Sequence, residues 1–91
     1  MLERTLRKDR TEVTFILPAD IPPGPVSVVG DFNDWQPGGH TLKARTDGKR
    51  AVTVALPMES VHSFRYLAAG GYWFNDESAG DHEGPNSLLH T

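Results

Sequence analysis

The chain holds two tryptophans, and both stand where an apolar segment runs into a polar turn. Trp35 closes VVGDFNDW, residues 28–35, and Trp73 follows Gly70-Gly71 in AAGGYWFND, residues 68–76. Trp is costly to leave in water and usually finds a core or a ligand. Each of these two is flanked by Asn and Asp. That setting suits a sugar. A sugar ring has an apolar face of C–H groups and an equatorial belt of hydroxyls; a flat aromatic ring stacks on the face, while Asn, Asp, Arg or Lys side chains bond the belt. The plain structural alternative makes one Trp the core residue of the fold and the other a plug at a sheet end.

Other chemistries fit less well. Asp31, Asp34, Asp76, Glu77, Asp81 and Glu83 could supply a carboxylate pair for glycoside cleavage. Such a pair needs a deep, partly desolvated cleft to push its two pKa values apart, and a 91-residue chain has little wall to build one. Ser, His and Asp are present without a Gly-x-Ser-x-Gly elbow. His40, His62, His82 and His90 stand alone, with no His-x-His or His-Glu-x-x-His spacing. The acidic stretches DFND and NDESAGDHEG lack the calcium-loop pattern, which wants Gly at its sixth position and Glu at its twelfth. With no cysteine there is no disulfide, thiol nucleophile or thiolate metal site. The expectation is a non-catalytic domain with no metal and no cofactor.

The elements that must hold the tryptophans read as strands. TEVTFILP alternates, with Val13, Phe15 and Leu17 on one side. AVTVALP puts Val52, Val54 and Leu56 on one face, and HSFRYLAAGG sets Phe64 and Tyr66 against Ser63, Arg65 and Leu67. PVSVVGDF is β-branched, Asp47-Gly48 is a hairpin signal, and NSLLHT makes a short final strand. ADIPPGP is a Pro-rich connection. No stretch of a dozen residues carries helical periodicity. The pattern predicts one domain over residues 1–91: an all-β, immunoglobulin-like antiparallel sandwich of about seven strands, without the Cys pair of an antibody domain.

Nine Lys and Arg against twelve Asp and Glu give a net charge of −3, which argues against a nucleic-acid partner. Arg4, Arg7, Lys8 and Arg10 cluster near the start, but Glu3, Asp9 and Glu12 are interspersed, so the segment reads as a solvated strand and turn. MLERTLRKDR has no apolar run, so neither a signal peptide nor a membrane span is expected and the cytoplasm is the expected location.

VVGDFNDW, then FRYLAAGGYWFND, then GPNSLLH, in this order and spacing, resemble carbohydrate-binding module family 48. This is the early set domain found at the N-terminus of isoamylases and glycogen-branching enzymes and in the β-subunit of AMP-activated protein kinase. The resemblance runs over essentially the whole chain and is greatest to short stand-alone bacterial members. It implies an immunoglobulin-like sandwich that binds α-1,4-glucans such as glycogen, starch or maltodextrins. By the same resemblance Trp35 stacks on a glucose ring, Trp73 forms a second stacking wall, and Arg65 and Asn86 bond hydroxyls. It also implies the alternative, a structural or protein-interaction module beside a glucan-processing enzyme and without a sugar site, because many members in branching and debranching enzymes serve as packing domains. Three departures stand out. The AAGG turn is one residue longer than in the kinase subunits and lacks their Asp. The loop GDHEGPN has no Leu where theirs does. Position 65 carries Arg in place of their Lys. Within the first motif, Gly30 is expected to permit a tight backbone, Asp31 and Asn33 to bond their own turn, and Phe32 to pack inward.

Overall fold

Alternating side chains build this molecule. The computed structural model describes residues 2–19, 23–76, 81–83 and 86–91, with only the backbone of 81–83. Nine strands occur among them: β1 (Leu2–Leu6), β2 (Thr11–Pro18), β3 (Val26–Gly30), β4 (Lys43–Ala44), β5 (Lys49–Leu56), β6 (Val61–Ala68), β7 (Tyr72–Phe74), β8 (Asp81–Glu83) and β9 (Asn86–His90). The expected number was about seven; β4 and β8, two and three residues long, are too short to announce themselves by alternation.

The strands form two antiparallel sheets. One has the order β1-β2-β5-β4; the other has β3-β6-β9-β8, with β7 also paired to β6. Val13, Phe15, Val54 and Leu56 of the first sheet face Val26, Val28, Phe64, Tyr66, Ala68 and Leu89 of the second, and all are buried. Phe15 meets Phe64 edge to face at 5.2 Å, and Phe64 meets Tyr66 at 5.8 Å. Burying each such ring contributes about 1.5–3 kcal/mol. The core is therefore filled by Phe and Tyr, and neither Trp is in it. This corrects the half of the structural alternative that placed one Trp in the core.

The chain passes between sheets within a few residues. His40 C=O accepts from Val28 N–H and Leu42 N–H donates to Val26 C=O, so this segment lies along the outer edge of β3. Lys43 and Ala44 then pair with β5 in the other sheet. At the start of the chain Arg7 pairs with Glu12, and Arg10 with Asp9 and Glu12. The bond from Arg7 holds the Glu12 carboxyl below its ordinary range. No helix among the described residues is long and apolar enough to cross a membrane.

Candidate functional site

β6 organises the site. β3 occupies one of its edges, and β7 and β9 share the other in tandem: β7 pairs with Tyr66–Ala68 and β9 with Val61–Phe64. Arg65 lies opposite the seam between them. On the β7 side the ladder runs Leu67↔Trp73 and Tyr66↔Phe74 and ends there, with Asn75 the next residue of the chain. On the β9 side Phe64 pairs with Ser87, so the position next to the seam is Asn86. Alternation fixes the faces. Phe64, Tyr66, Phe74, Ser87 and Leu89 turn inward. Arg65, Trp73 and Asn86 therefore share the outer face, with Asn75 just past the end of β7. Arg65's partner on β3 is Val29, fully buried yet outside the core cluster, which gives the arginine stem an apolar neighbour.

Trp73 stands in β7 behind a turn in which Gly70 and Gly71 take φ of 79° and 76°. Those angles favour glycine, and no other atom crowds either position. Trp73 is 37% exposed. The Arg65 guanidinium carbon lies 5.7 Å from its ring centroid, within cation–π range. The far end of the strand is anchored in the core, where the Tyr66 hydroxyl donates to buried Asp76 at 2.6 Å. Burial and the neighbouring Asp76 carboxylate push the Tyr66 phenol well above its ordinary value.

Trp35 is placed by another construction. After Gly30 the chain makes a short 3-10 turn, Asp31–Asn33. Asp34 and Trp35 then both adopt φ of 56°, a left-handed conformation unusual for such residues. It costs about 1–3 kcal/mol per residue and persists only where the surroundings enforce it. They do so here. Trp35 N–H donates to Gly30 C=O at 2.9 Å. Asn33 accepts from Gly30 N–H and donates to Val28 C=O, and its amide also donates to His40 Nδ1. Phe32 packs on the core and stacks against Phe15 at 6.0 Å. Gly30 is needed for closeness, because a Cβ there would sit 2.5 Å from Ser63 O and 2.7 Å from the Phe32 ring. Its φ of −164° is ordinary extended backbone.

Asp31 behaves differently from expectation. It does not serve its own turn; it reaches β6, accepting from His62 Nδ1–H at 2.9 Å and Ser63 N–H at 3.1 Å. Together with Ser60 Oγ, 2.8 Å from His62 Nε2, this makes a Ser–His–Asp series that sequence spacing does not reveal. Its surroundings tie it up structurally. Ser60 Oγ also donates to Pro57 C=O and lies 2.8 Å from Thr91 Oγ1, while the Ser60 N–H, the natural oxyanion donor, goes to Thr91 Oγ1. The series fastens residue 91 and the Trp35 turn to β6.

Along β6, then, Trp73 lies on the Leu67 side of Arg65. The Trp35 turn springs from Gly30, the partner of Phe64, on the other side. Trp35 is 36% exposed. Arg65, Trp73 and Asn86 come together as one outer-face group, with Asn75, which sequence reading passed over, just past the end of β7. Its place two residues after Trp73 was the signal that would have found it. The other carboxylates disperse: Asp76 is inside, Asp31 is engaged by β6, and Asp34 sits in the turn. Glu77 and the side chains of Asp81, His82 and Glu83 lie outside the described residues, as does part of ADIPPGP. Among the described residues no three His, Asp or Glu gather closely enough to hold a metal ion. The arrangement offers flat apolar rings beside directional donors and acceptors. No family model matches the chain, and no curated protein matches it.

Proposed function

We propose that this domain binds α-1,4-glucans such as glycogen, starch or maltodextrin, without cleaving them, as the resemblance to carbohydrate-binding module family 48 implies. The observation that carries this reading is the placement of both tryptophans. Each keeps more than a third of its surface in water, 36% and 37%, in a domain whose core is complete without them, and the Trp35 turn and the Trp73 strand adjoin β6 to either side of Arg65. Trp35 and Trp73 stack on glucose rings, and Arg65 and Asn86 bond hydroxyls. Binding falls in the high micromolar to millimolar range, roughly −4 to −6 kcal/mol. The protein acts in the cytoplasm, in the company of a glucan-processing enzyme.

A titration of the ¹⁵N-labelled protein with β-cyclodextrin and maltoheptaose tests this. Saturable shifts of both indole N–H signals, with nearby shifts at Arg65 and Asn86, are expected, and Trp35→Ala removes most of the affinity. Unmoved indoles at several millimolar ligand overturn the reading. One observation favours a second reading, a structural or protein-docking module: Arg65 already lies against the Trp73 ring from within the chain. Unresponsive indoles would select it.

A further inference from the structure

Among the described residues, two outward-lying side chains near the site each hold a shut-in atom with no hydrogen-bond partner. The Oδ1 of Asn75 is closed from solvent and receives no hydrogen bond, and the Nε–H of Arg65 is closed and gives none. One is an acceptor and the other a donor. They belong to half-buried residues just beyond the end of the β6–β7 ladder, Arg65 one position before its first paired residue in β6 and Asn75 one position after β7 ends. A shut-in polar atom without a partner is expensive, and two complementary ones at neighbouring positions are most cheaply satisfied by each other. The Arg65 guanidinium meanwhile lies against Trp73, 5.7 Å from the ring centroid.

We infer that Arg65 has two stations: against the indole of Trp73 when the site is empty, and against Asn75 Oδ1 when a ligand ring takes its place on Trp73. The second station rests on the glucan reading above. In it the Arg65 Nε–H donates to Asn75, and the terminal NH₂ groups are left to face the hydroxyls of the stacked ring. Asn75 is thus a positioning residue that acts through Arg65. A sugar that stacks without displacing the guanidinium would meet a cation already occupying the ring; displacement lets the orphaned pair close. The same exchange favours a neutral, hydroxyl-rich ring over an aliphatic chain, because only the former uses the freed donors.

Asn75→Asp keeps the acceptor and strengthens it with charge; Asn75→Leu removes it at similar volume. In the full 91-residue protein without ligand, Asn75→Asp is expected to shift the Trp73 indole signal and slow solvent exchange of the Arg65 Nε–H at least tenfold. Asn75→Leu leaves the ligand-free indole signal in place but weakens maltoheptaose binding about three- to tenfold, whereas Asn75→Asp retains the affinity. Thermal melts of both variants show whether the fold is kept. If Asn75→Asp moves neither signal, or if Asn75→Leu binds maltoheptaose as the parent does, the two stations are overturned. If the parent binds no glucan while Asn75→Asp still moves Arg65, the glucan reading falls and with it the ligand-driven exchange, and only the reach of Arg65 to Asn75 remains.

Discussion

The turn that carries Trp35 and the hairpin that carries Trp73 expose their rings almost equally, 36% and 37%, by different means. The Trp35 turn is over-determined. Backbone and side-chain bonds from Gly30, Asn33 and Asp31 lace it to β3 and β6, Phe32 plugs it into the core, and two consecutive residues are held in a left-handed conformation. The Trp73 hairpin carries no such strain. A two-glycine turn bends it, one hydroxyl–carboxylate bond anchors its end, and its ring is held laterally by Arg65, whose own hydrogen-bonding atoms are incompletely used. The backbone that carries Trp35 is held on several sides, while Trp73 is held mainly by its neighbour Arg65. Under the glucan reading proposed above, a pre-set ring beside a yielding one would lower the ordering cost of binding while still admitting rings of different tilt.

This contrast can be broken most severely at Gly30. Gly30→Ala is expected to destabilise the protein by about 3 kcal/mol in urea denaturation, because Ser63 O and the Phe32 ring leave no room for a methyl group. The Trp35 indole signal should move and that of Trp73 stay; joint movement of the two would show the regions to be one cooperative unit. Next in size is the anchor of the hairpin. Tyr66→Phe is expected to cost about 1–3 kcal/mol at neutral pH, since a buried Asp76 loses its hydroxyl donor. The same residue sets an alkaline dependence. Its folded pKa is raised, so its contribution is complete below pH ~10 and declines above that, as the unfolded chain ionises and the folded one does not. The slope approaches about 1.4 kcal/mol per pH unit, and Tyr66→Phe should lack it. Gly71→Ala tests the turn alone: no atom crowds the new methyl group, so a loss of about 1 kcal/mol reports the left-handed φ. The smallest effect is opposite in sign. Asp34→Gly relieves one of the two strained residues and is expected to raise the unfolding free energy by about 0.5–1 kcal/mol.

Much of the scaffold was legible because period-two alternation is a local property. Val13 and Phe15, Val54 and Leu56, and Phe64 and Tyr66 all face inward as their spacing implied. Asn33 serves its own turn and Phe32 packs inward, again from local chemistry. What escaped is whatever depends on register between distant strands. Asp31 looked like a turn residue and proves to bridge to β6, 31 residues away at His62. Asn75 belongs beside Arg65 only once the β6–β7 ladder is known. The seam between β7 and β9 is invisible in sequence, because nothing in either strand states that they share one edge. The two-residue β4 and three-residue β8 were too short to carry a period.

The alternation of the chain between its two sheets also sets an order in time. Hairpins β1–β2, β4–β5, β6–β7 and β8–β9 join neighbours in sequence and close over short loops. The pairings that complete each sheet, β2 with β5, β3 with β6 and β6 with β9, link distant segments and must wait for the long loops to close. Arg65 sits where an early partner, β7, meets a late one, β9. A chain halted halfway through folding would already display Trp73 beside Arg65 but would not yet have Asn86 or the Trp35 turn in place. The complete face therefore marks the finished fold, and recovery of the full set of site signals after dilution from urea should lag behind the formation of the β6–β7 hairpin.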